Sequence, residues 1–180
     1  MKITTILTLI VPSLLATSPL RSPKDLTTGS NTCNIYVAGT KHKSSLAAQK
    51  KTAKRFIDAY NAWDAEAVME YRSPGCYQQA LPSSMGKLAK NNLEYSKYFQ
   101  SIMPLFSNFT VTVHKEVHDA NARISVIHAS STASTRIGTY TNEYALFITF
   151  TRDGEKVAKI EEFVDSAYST RFFAQLAIPT

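Results

Sequence analysis

Residues 140–165 read YTNEYALFITFTRDGEKVAKIEEFVD and contain two extended segments joined by a turn. Apolar and polar side chains alternate through 140–152 and again through 157–165, which is typical of β-strands with one buried face. The Asp153-Gly154 pair between them is characteristic of β-hairpin turns. This stretch therefore predicts an antiparallel hairpin close to the end of the chain.

Two more strands are predicted before this hairpin. From Phe109 the hydrophobic period becomes two, and valines alternate with polar residues as far as His118. The segment 123–132 alternates as well, and it places His128 on the same face as Val126 and Ser130. We therefore expect His128 to be at least partly buried, either as a hydrogen-bonded core residue or as a functional group.

The preceding residues predict helices. Ala53, Phe56, Ile57 and Tyr60 follow the i, i+3, i+4, i+7 pattern of a helix that Ser44 or Ser45 could cap. Further boundary signals are Asp64 at the start of a second helix, Ser73-Pro74-Gly75 at its end, Asn91 with Glu94 at the start of a third helix, and Pro104 at its end. A last helix carries Phe172, Phe173 and Leu176.

Helices followed by successive hairpin-connected strands favour an α+β fold. We expect a cone-shaped, curved antiparallel β-sheet wrapped by the N-terminal helices, with a cavity between the concave face and those helices. One domain is the default for 180 residues of which 44% are hydrophobic.

Residues 1–18 are predicted to be a signal-peptide-like leader, residues 19–43 a flexible linker, and residues 44–180 the folded domain. The leader indicates secretion or an endomembrane location with no stable membrane span after cleavage. If it is not a true leader, the protein is cytoplasmic. The net charge of +6 arises largely from lysines and Arg55 near the first helix. This is read as a solvated helix face, and no nucleic-acid partner is predicted.

Cys33 and Cys76 are the only cysteines, which excludes a disulfide framework and a cysteine-rich zinc site. They could pair in a secreted protein, or remain as a free thiol and a small packed residue. Asn108-Phe109-Thr110 is a glycosylation sequon whose use depends on entry into the secretory pathway.

The segments FIDAYNAWD at 56–64 and DGEKVAKIEEFVD at 153–165 resemble the nuclear transport factor 2-like superfamily. Within it, the chain is most similar to SnoaL-like proteins of the polyketide cyclase/dehydratase type, especially fungal members of secondary metabolism. The resemblance implies a cystatin-like α+β roll, frequent homodimers and a small hydrophobic metabolite, polyketide- or terpenoid-like, as partner. It implies either a cofactor-independent lyase, isomerase or cyclase, or a non-catalytic binding or dimeric interaction domain.

Acid–base chemistry on a carbonyl compound needs a base and a hydrogen-bond donor, and no metal or cofactor. The candidate catalytic residues are His128, Glu143 and Asp165, which lie on three strands and could meet in the cavity. The resemblance matches Asp165 to the acid of SnoaL-like cyclases. Glu143 could instead pair with Arg72 or a lysine, and Asp165 could cap the last helix.

The candidate substrate-binding residues are Tyr60, Tyr71, Arg72, Asn142 and Tyr144. Tyr60 matches a pocket tyrosine of scytalone dehydratases, but Asn61 replaces the acid that follows it there, which argues against the same dehydration chemistry. His114 and His118 are predicted to be exposed, with no metal geometry. No nucleotide-binding loop or serine-hydrolase elbow is present.

Overall fold

A computed structural model describes residues 45–176. The predicted leader and linker, and Cys33 with its possible pairing, lie outside these residues. The elements in chain order are α1 Leu46–Asn61, α2 Ala65–Glu70, β1 Arg72–Leu81, β2 Lys90–Asn91, α3 Asn92–Ile102, β3 Ser107–Asp119, β4 Ile124–Thr135, β5 Gly138–Phe150, β6 Val157–Val164 and α4 Ser166–Leu176. No helix within the described range is long and apolar enough to cross a membrane.

The six strands form one sheet in the order β2-β1-β6-β5-β4-β3. The α+β class is confirmed, as are the hairpin-connected strands from β3 to β6, which pair antiparallel. The prediction of a purely antiparallel sheet is wrong at one place, because β1 runs parallel to β6. β1 is followed by β2 and α3 instead of a hairpin into β6, so hairpin geometry does not set its direction.

The end of α2 also differs from the prediction. The helix ends at Glu70, and Ser73-Pro74-Gly75 lies within β1 instead of terminating the helix. The pairing of β1 with β6 is irregular between Arg72 and Tyr77. An irregularity of this kind accommodates a proline, which cannot donate a ladder hydrogen bond.

The predicted helix starts are confirmed by side-chain hydrogen bonds. Ser45 accepts from the Ala48 amide, and Asp64 accepts from the amides of Glu66 and Ala67. Asn91 and Glu94 form the reciprocal capping box at the start of α3.

The core lies between α1 and one face of the sheet, here called the inner face. Its fully buried side chains include Phe56 of α1 and, from the strands, Ile127, Ile148, Phe150 and Ile160. The predicted turn at Asp153-Gly154 joins β5 to β6, with Gly154 at a φ of +80°. The Thr52 hydroxyl donates to the Gly154 carbonyl over 2.7 Å. The hairpin is thereby fixed to α1.

Asn61 ties the end of α1 to β3. Its Oδ1 accepts from the Val111 amide over 2.6 Å, and its Nδ2 donates to the Val111 carbonyl over 3.2 Å. Asn61→Asp would lose the donor and place a carboxylate against a carbonyl oxygen. We expect the free energy of unfolding to fall by about 1 kcal/mol, measured by chemical denaturation. Asn121→Asp in an exposed turn is the charge-matched control, and equal midpoints for the two variants would contradict this role.

Candidate active site

Glu162 of β6 is a carboxyl group on the inner face, where Ile160 is almost completely buried beside it. Gln78 of β1 donates from Nε2 to Glu162 Oε2 over 2.9 Å. Burial raises the pKa of Glu162, while the Gln78 hydrogen bond and the charges of Lys90 and Arg72 act more weakly in the opposite direction. A larger share of Glu162 is therefore protonated near neutral pH than of an exposed glutamate, as acid–base catalysis favours.

Five tyrosines lie close enough to this carboxyl group for its charge to act on them. Burial is the main cause that raises the pKa of each, and the charge of Glu162 raises the pKa of all of them further. The five are Tyr60 of α1, Tyr95 and Tyr98 of α3, and Tyr140 and Tyr144 of β5. They stay protonated near neutral pH and can donate hydrogen bonds to a ligand oxygen.

The polar side chains near Glu162 are not completely enclosed by protein. Tyr98 keeps 39% of its surface accessible, although the surrounding protein desolvates its hydroxyl. Tyr60, Tyr144 and Glu162 also retain accessible surface despite desolvation by the same surroundings. These partly accessible polar side chains on the inner face can therefore be contacted by a small molecule.

Arg72 supplies a positive charge to the same interior. Its side chain is 4% exposed, and its guanidinium lies 4.4 Å from the centroid of the Tyr95 ring. Nε donates to Asn92 Oδ1 and Nη1 to Gln78 Oε1, each over 2.8 Å. Nη2 is buried and has no hydrogen-bond partner among the described residues. A buried donor without a partner is costly, so Nη2 favours an acceptor oxygen, which reaches it only if the side chains that enclose Nη2 move apart.

Asn142, a predicted substrate-binding residue, has its polar atoms occupied. Its Nδ2 donates to the Tyr140 hydroxyl and to Ser169, and its Oδ1 accepts from the amides of Glu143 and Asp165. Asn142 therefore orients Tyr140 and the start of α4. Tyr144, the next inner-face residue of β5, bonds to Tyr140 and to Ser131 of β4.

Among the predicted substrate-binding residues, Tyr60, Arg72 and Tyr144 lie near Glu162 in the structure. Asn142 is connected to this group by its hydrogen bond to Tyr140. Tyr71 differs, because its ring packs against the hydrophobic clusters beside α1 and α3. The alternative of core packing describes Tyr71 better.

His128, Glu143 and Asp165 do come together, but on the outer face of the sheet. All three line a shallow groove with Phe147 and Phe163. His128 Nε2 lies 2.5 Å from Glu143 Oε1, and their side chains are 47% and 68% exposed. The sequence predicts that these three groups could meet in the interior cavity, whereas the structure places them on the outer face.

The alternation of β4 explains the position of His128. Both faces of β4 carry apolar residues. The buried face is the one with Ile127, Ala129 and Ala133, and His128 lies on the opposite face. Asp165 accepts from the Tyr168 amide over 3.0 Å, so the helix-capping alternative describes it. Glu143 pairs with His128, not with Arg72 or a lysine. The catalytic assignment of these three residues stays a prediction.

A direct test separates the two faces. Because His128 and Asp165 are exposed, we expect His128→Ala and Asp165→Asn to keep kcat/KM within about threefold of the wild type. Asp165→Asn should leave α4 capped, since asparagine is an equally good cap. A loss of turnover in either variant without a change in melting temperature would favour a site on the outer face.

The prediction that His118 is exposed is also wrong, because only 5% of its side chain is accessible to solvent. Its Nδ1 lies 2.6 Å from the Ser125 hydroxyl, and its Nε2 lies 3.3 Å from a Glu116 carboxylate oxygen. Ser125, His118 and Glu116 are therefore connected in the same order as the serine, histidine and acid of a serine-hydrolase triad. Ser125 is completely buried, however, so no substrate reaches its hydroxyl.

No family model matches the chain. The chain is 36% identical over 128 residues to a protein of Aspergillus novofumigatus named monooxygenase nsrQ, covering 71% of this chain and 85% of that protein. The chain belongs to this family of fungal proteins. Other fungal members, from Claviceps purpurea and Aspergillus aculeatus, also carry the name monooxygenase.

Solved structures show that the chain has the nuclear transport factor 2-like fold. The BvnE pinacolase of Penicillium brevicompactum is 26% identical, with a TM-score of 0.71 over 73% of this chain and 92% of that one. A Jannaschia protein assigned to the SnoaL-like polyketide cyclases shares the fold, at 15% identity and a TM-score of 0.58 over 74% of this chain and 94% of that one. The predicted SnoaL-like resemblance is confirmed.

The sequence reasoning missed Glu162 as a site residue in this SnoaL-like chain, although the residue lies in the quoted segment 153–165. A signal was present, because Glu162 shares a strand face with Ile160 and Val164. A carboxyl group on an otherwise apolar face needs a partner or a function. Tyr95 and Tyr98 were likewise not proposed as site residues.

Proposed function

We propose that this protein is a cofactor-independent acid–base enzyme that isomerises or cyclises a small polyketide-type metabolite, with Glu162 as the group that transfers the proton. The observation that carries the proposal is the half-buried Glu162 carboxyl group on the inner face, bonded to Gln78, which in turn bonds to the Arg72 guanidinium with its unpartnered Nη2 donor. Perturbed carboxyl groups in concave interiors are frequent acid–base catalysts.

Each group has a distinct role in this proposal. The side chains that enclose Arg72 Nη2 move apart as the substrate binds, and Nη2 then donates to a carbonyl oxygen and stabilises the negative charge that develops there. Protonated Glu162 delivers its proton to the reacting atom, and the resulting carboxylate then removes a proton from a second position, which restores the acid. Gln78 holds the Glu162 carboxyl in place through its 2.9 Å hydrogen bond, and Arg72 in turn holds Gln78.

The similarity to a pinacolase supports a rearrangement of this kind, because a pinacol-type reaction needs proton transfer to and from oxygen and no redox change. A non-catalytic binding domain remains the alternative of the same fold. It would use the same interior without turnover.

Oxygenation is a second candidate, favoured by the names of the fungal relatives. Here Glu162 would remove a proton from an enol or phenol, and the electron-rich anion would reduce dissolved O2. The substrate supplies all four electrons: it loses two hydrogen atoms and gains a quinone-type carbonyl that carries one oxygen atom, and the other oxygen atom leaves as water with those two hydrogens. The interior supplies the base and the donors for the anion in either reaction.

The experiment is incubation of the protein with a panel of aromatic polyketide enols and hydroxyketones under argon and under ¹⁸O₂, followed by mass spectrometry. A product of unchanged mass, or one that has lost water, formed under both gases supports the acid–base proposal. A product that contains ¹⁸O and forms only with oxygen supports the second candidate. Binding of a panel member with no product under either gas would favour the non-catalytic alternative.

We also propose, from the sequence, that the protein is a homodimer that enters the secretory pathway. Sedimentation velocity tests whether the protein is a dimer. Expression of the full chain in a fungal host, followed by N-terminal sequencing of the secreted protein, tests entry into the secretory pathway. Sequencing would also locate the cleavage site. Asn108 is exposed, so mass spectrometry of the secreted protein would show whether its sequon is used.

A further inference from the structure

Lys90 lies on β2, at the edge of the inner face that also carries Glu162. β2 pairs antiparallel with β1, and Lys90 is directly opposite Gln78. Opposed residues of an antiparallel pair project from the same face of the sheet. Gln78 in turn bonds to Glu162. Gln78 therefore links the two residues: it lies beside Lys90 on β2 and reaches diagonally to Glu162 on β6.

The ammonium group of Lys90 has no hydrogen-bond acceptor and no ion-pair partner within residues 45–176. Its Nζ lies 5.0 Å from the centroid of the Tyr98 ring, one of the rings around Glu162. Burial lowers the pKa of Lys90, and so does the charge of Lys87, while Glu94 and Glu162 oppose the shift from a distance. A half-buried ammonium without a contacting acceptor is suited to pairing with an anion.

Other positive groups adjoin Lys90. α3 begins at Asn92, so its N-terminal amides lie beside the lysine, and the Arg72 guanidinium bonds to the Asn92 side chain over 2.8 Å. Glu162 offsets this charge incompletely, because burial favours its neutral form. Lys90, Arg72 and the first amides of α3 therefore bring positive charge next to aromatic surface, and Glu94 in the first turn of α3 is the exposed carboxylate that opposes it.

We propose that the substrate is an aromatic acid and that Lys90 is the residue that binds its carboxylate at the edge of the inner face, while the reacting carbonyl lies at Arg72 and Glu162. This inference rests on the proposed function for the position of the reacting group, and it adds the substrate class. Tyr98 contributes a ring face against which an aromatic ligand can stack beside the bound anion. A neutral ester of the same acid would lack the ion pair and leave Lys90 unpartnered.

The test is calorimetric binding of 2-naphthoate and methyl 2-naphthoate to the full chain. The wild type should bind the acid about tenfold more tightly than the ester, as one desolvated ion pair provides. Lys90→Met should bind both equally, and Lys90→Arg should keep the preference. Lys87→Met is the matched control, because Lys87 is exposed and nearby, and it should also keep the preference.

Equal affinity of the wild type for the two probes, a preserved preference in Lys90→Met, or no binding of either probe would overturn this inference. None of these results bears on Glu162, whose role is judged by turnover. Conversely, loss of the preference in Lys90→Met together with full activity in Glu162→Gln would support the anion site and reject the proposed function.

Discussion

Glu162→Gln should lower kcat by about 100- to 10,000-fold, the range that a positioned acid–base group contributes. The substitution removes the transferable proton and keeps the shape of the side chain, so Gln78 can still donate to the amide oxygen. The measurement is kcat with the substrate identified in the polyketide panel, together with the melting temperature. Turnover equal to that of the wild type would reject Glu162 as the proton-transfer group.

Glu161→Gln is the matched control. Glu161 is the next residue along β6, faces the other side of the sheet and pairs with Lys159 over 2.9 Å. Because that ion pair is solvent-accessible, its loss should change stability by less than about 1 kcal/mol and leave kcat unchanged. A similar loss of activity in both variants would indicate a general effect of charge instead of a specific role for Glu162.

The raised pKa of Glu162 also predicts a pH dependence. Because protonated Glu162 starts the reaction, kcat should fall as pH rises through this pKa, which lies above the ordinary value of 4.5. The folded state binds the proton more tightly than the unfolded state. The stability contributed by Glu162 is therefore present below pH 4.5 and lost as pH rises to the folded pKa. Melting curves should show the wild type losing stability relative to Glu162→Gln over this window.

Arg72→Lys should lower kcat/KM by about 100-fold or more, since removing one donor from a developing oxyanion costs about 100- to 1,000-fold. Lysine keeps the charge but cannot reproduce the planar set of donors that reaches Asn92 and Gln78 and leaves Nη2 for a ligand. The melting temperature should fall as well, because the polar groups of Gln78 and Asn92 lose a partner.

Arg171→Lys is the control for this substitution, because Arg171 is exposed on α4. It should leave both activity and melting temperature unchanged. The two roles of Arg72 are separated by assaying the folded protein well below its melting temperature. If Arg72→Lys is destabilised but turns over at the wild-type rate, Arg72 only supports Gln78 and Asn92, and its role in binding the carbonyl is wrong.

Local sequence signals determined the helices, the strands and the hairpins of this SnoaL-like protein. The cap at Ser45, the capping box at Asn91 and the turn at Asp153-Gly154 each act within a few residues, so the sequence alone can reveal them. The direction of β1 could not be predicted in this way. It depends on where a strand docks after two helices and is set by partners distant in sequence.

The sequence by itself determined the fold class and the presence of tyrosines and of Arg72 suited to a polar-tipped interior. Only the tertiary structure decided that Glu162, and not His128, Glu143 or Asp165, faces that interior. The physical reason is that a strand with apolar residues on both sides, such as β4, does not specify its buried face. The face is chosen when Ile127 and Ala129 pack against α1, and this choice turns His128 and its partner Glu143 outward.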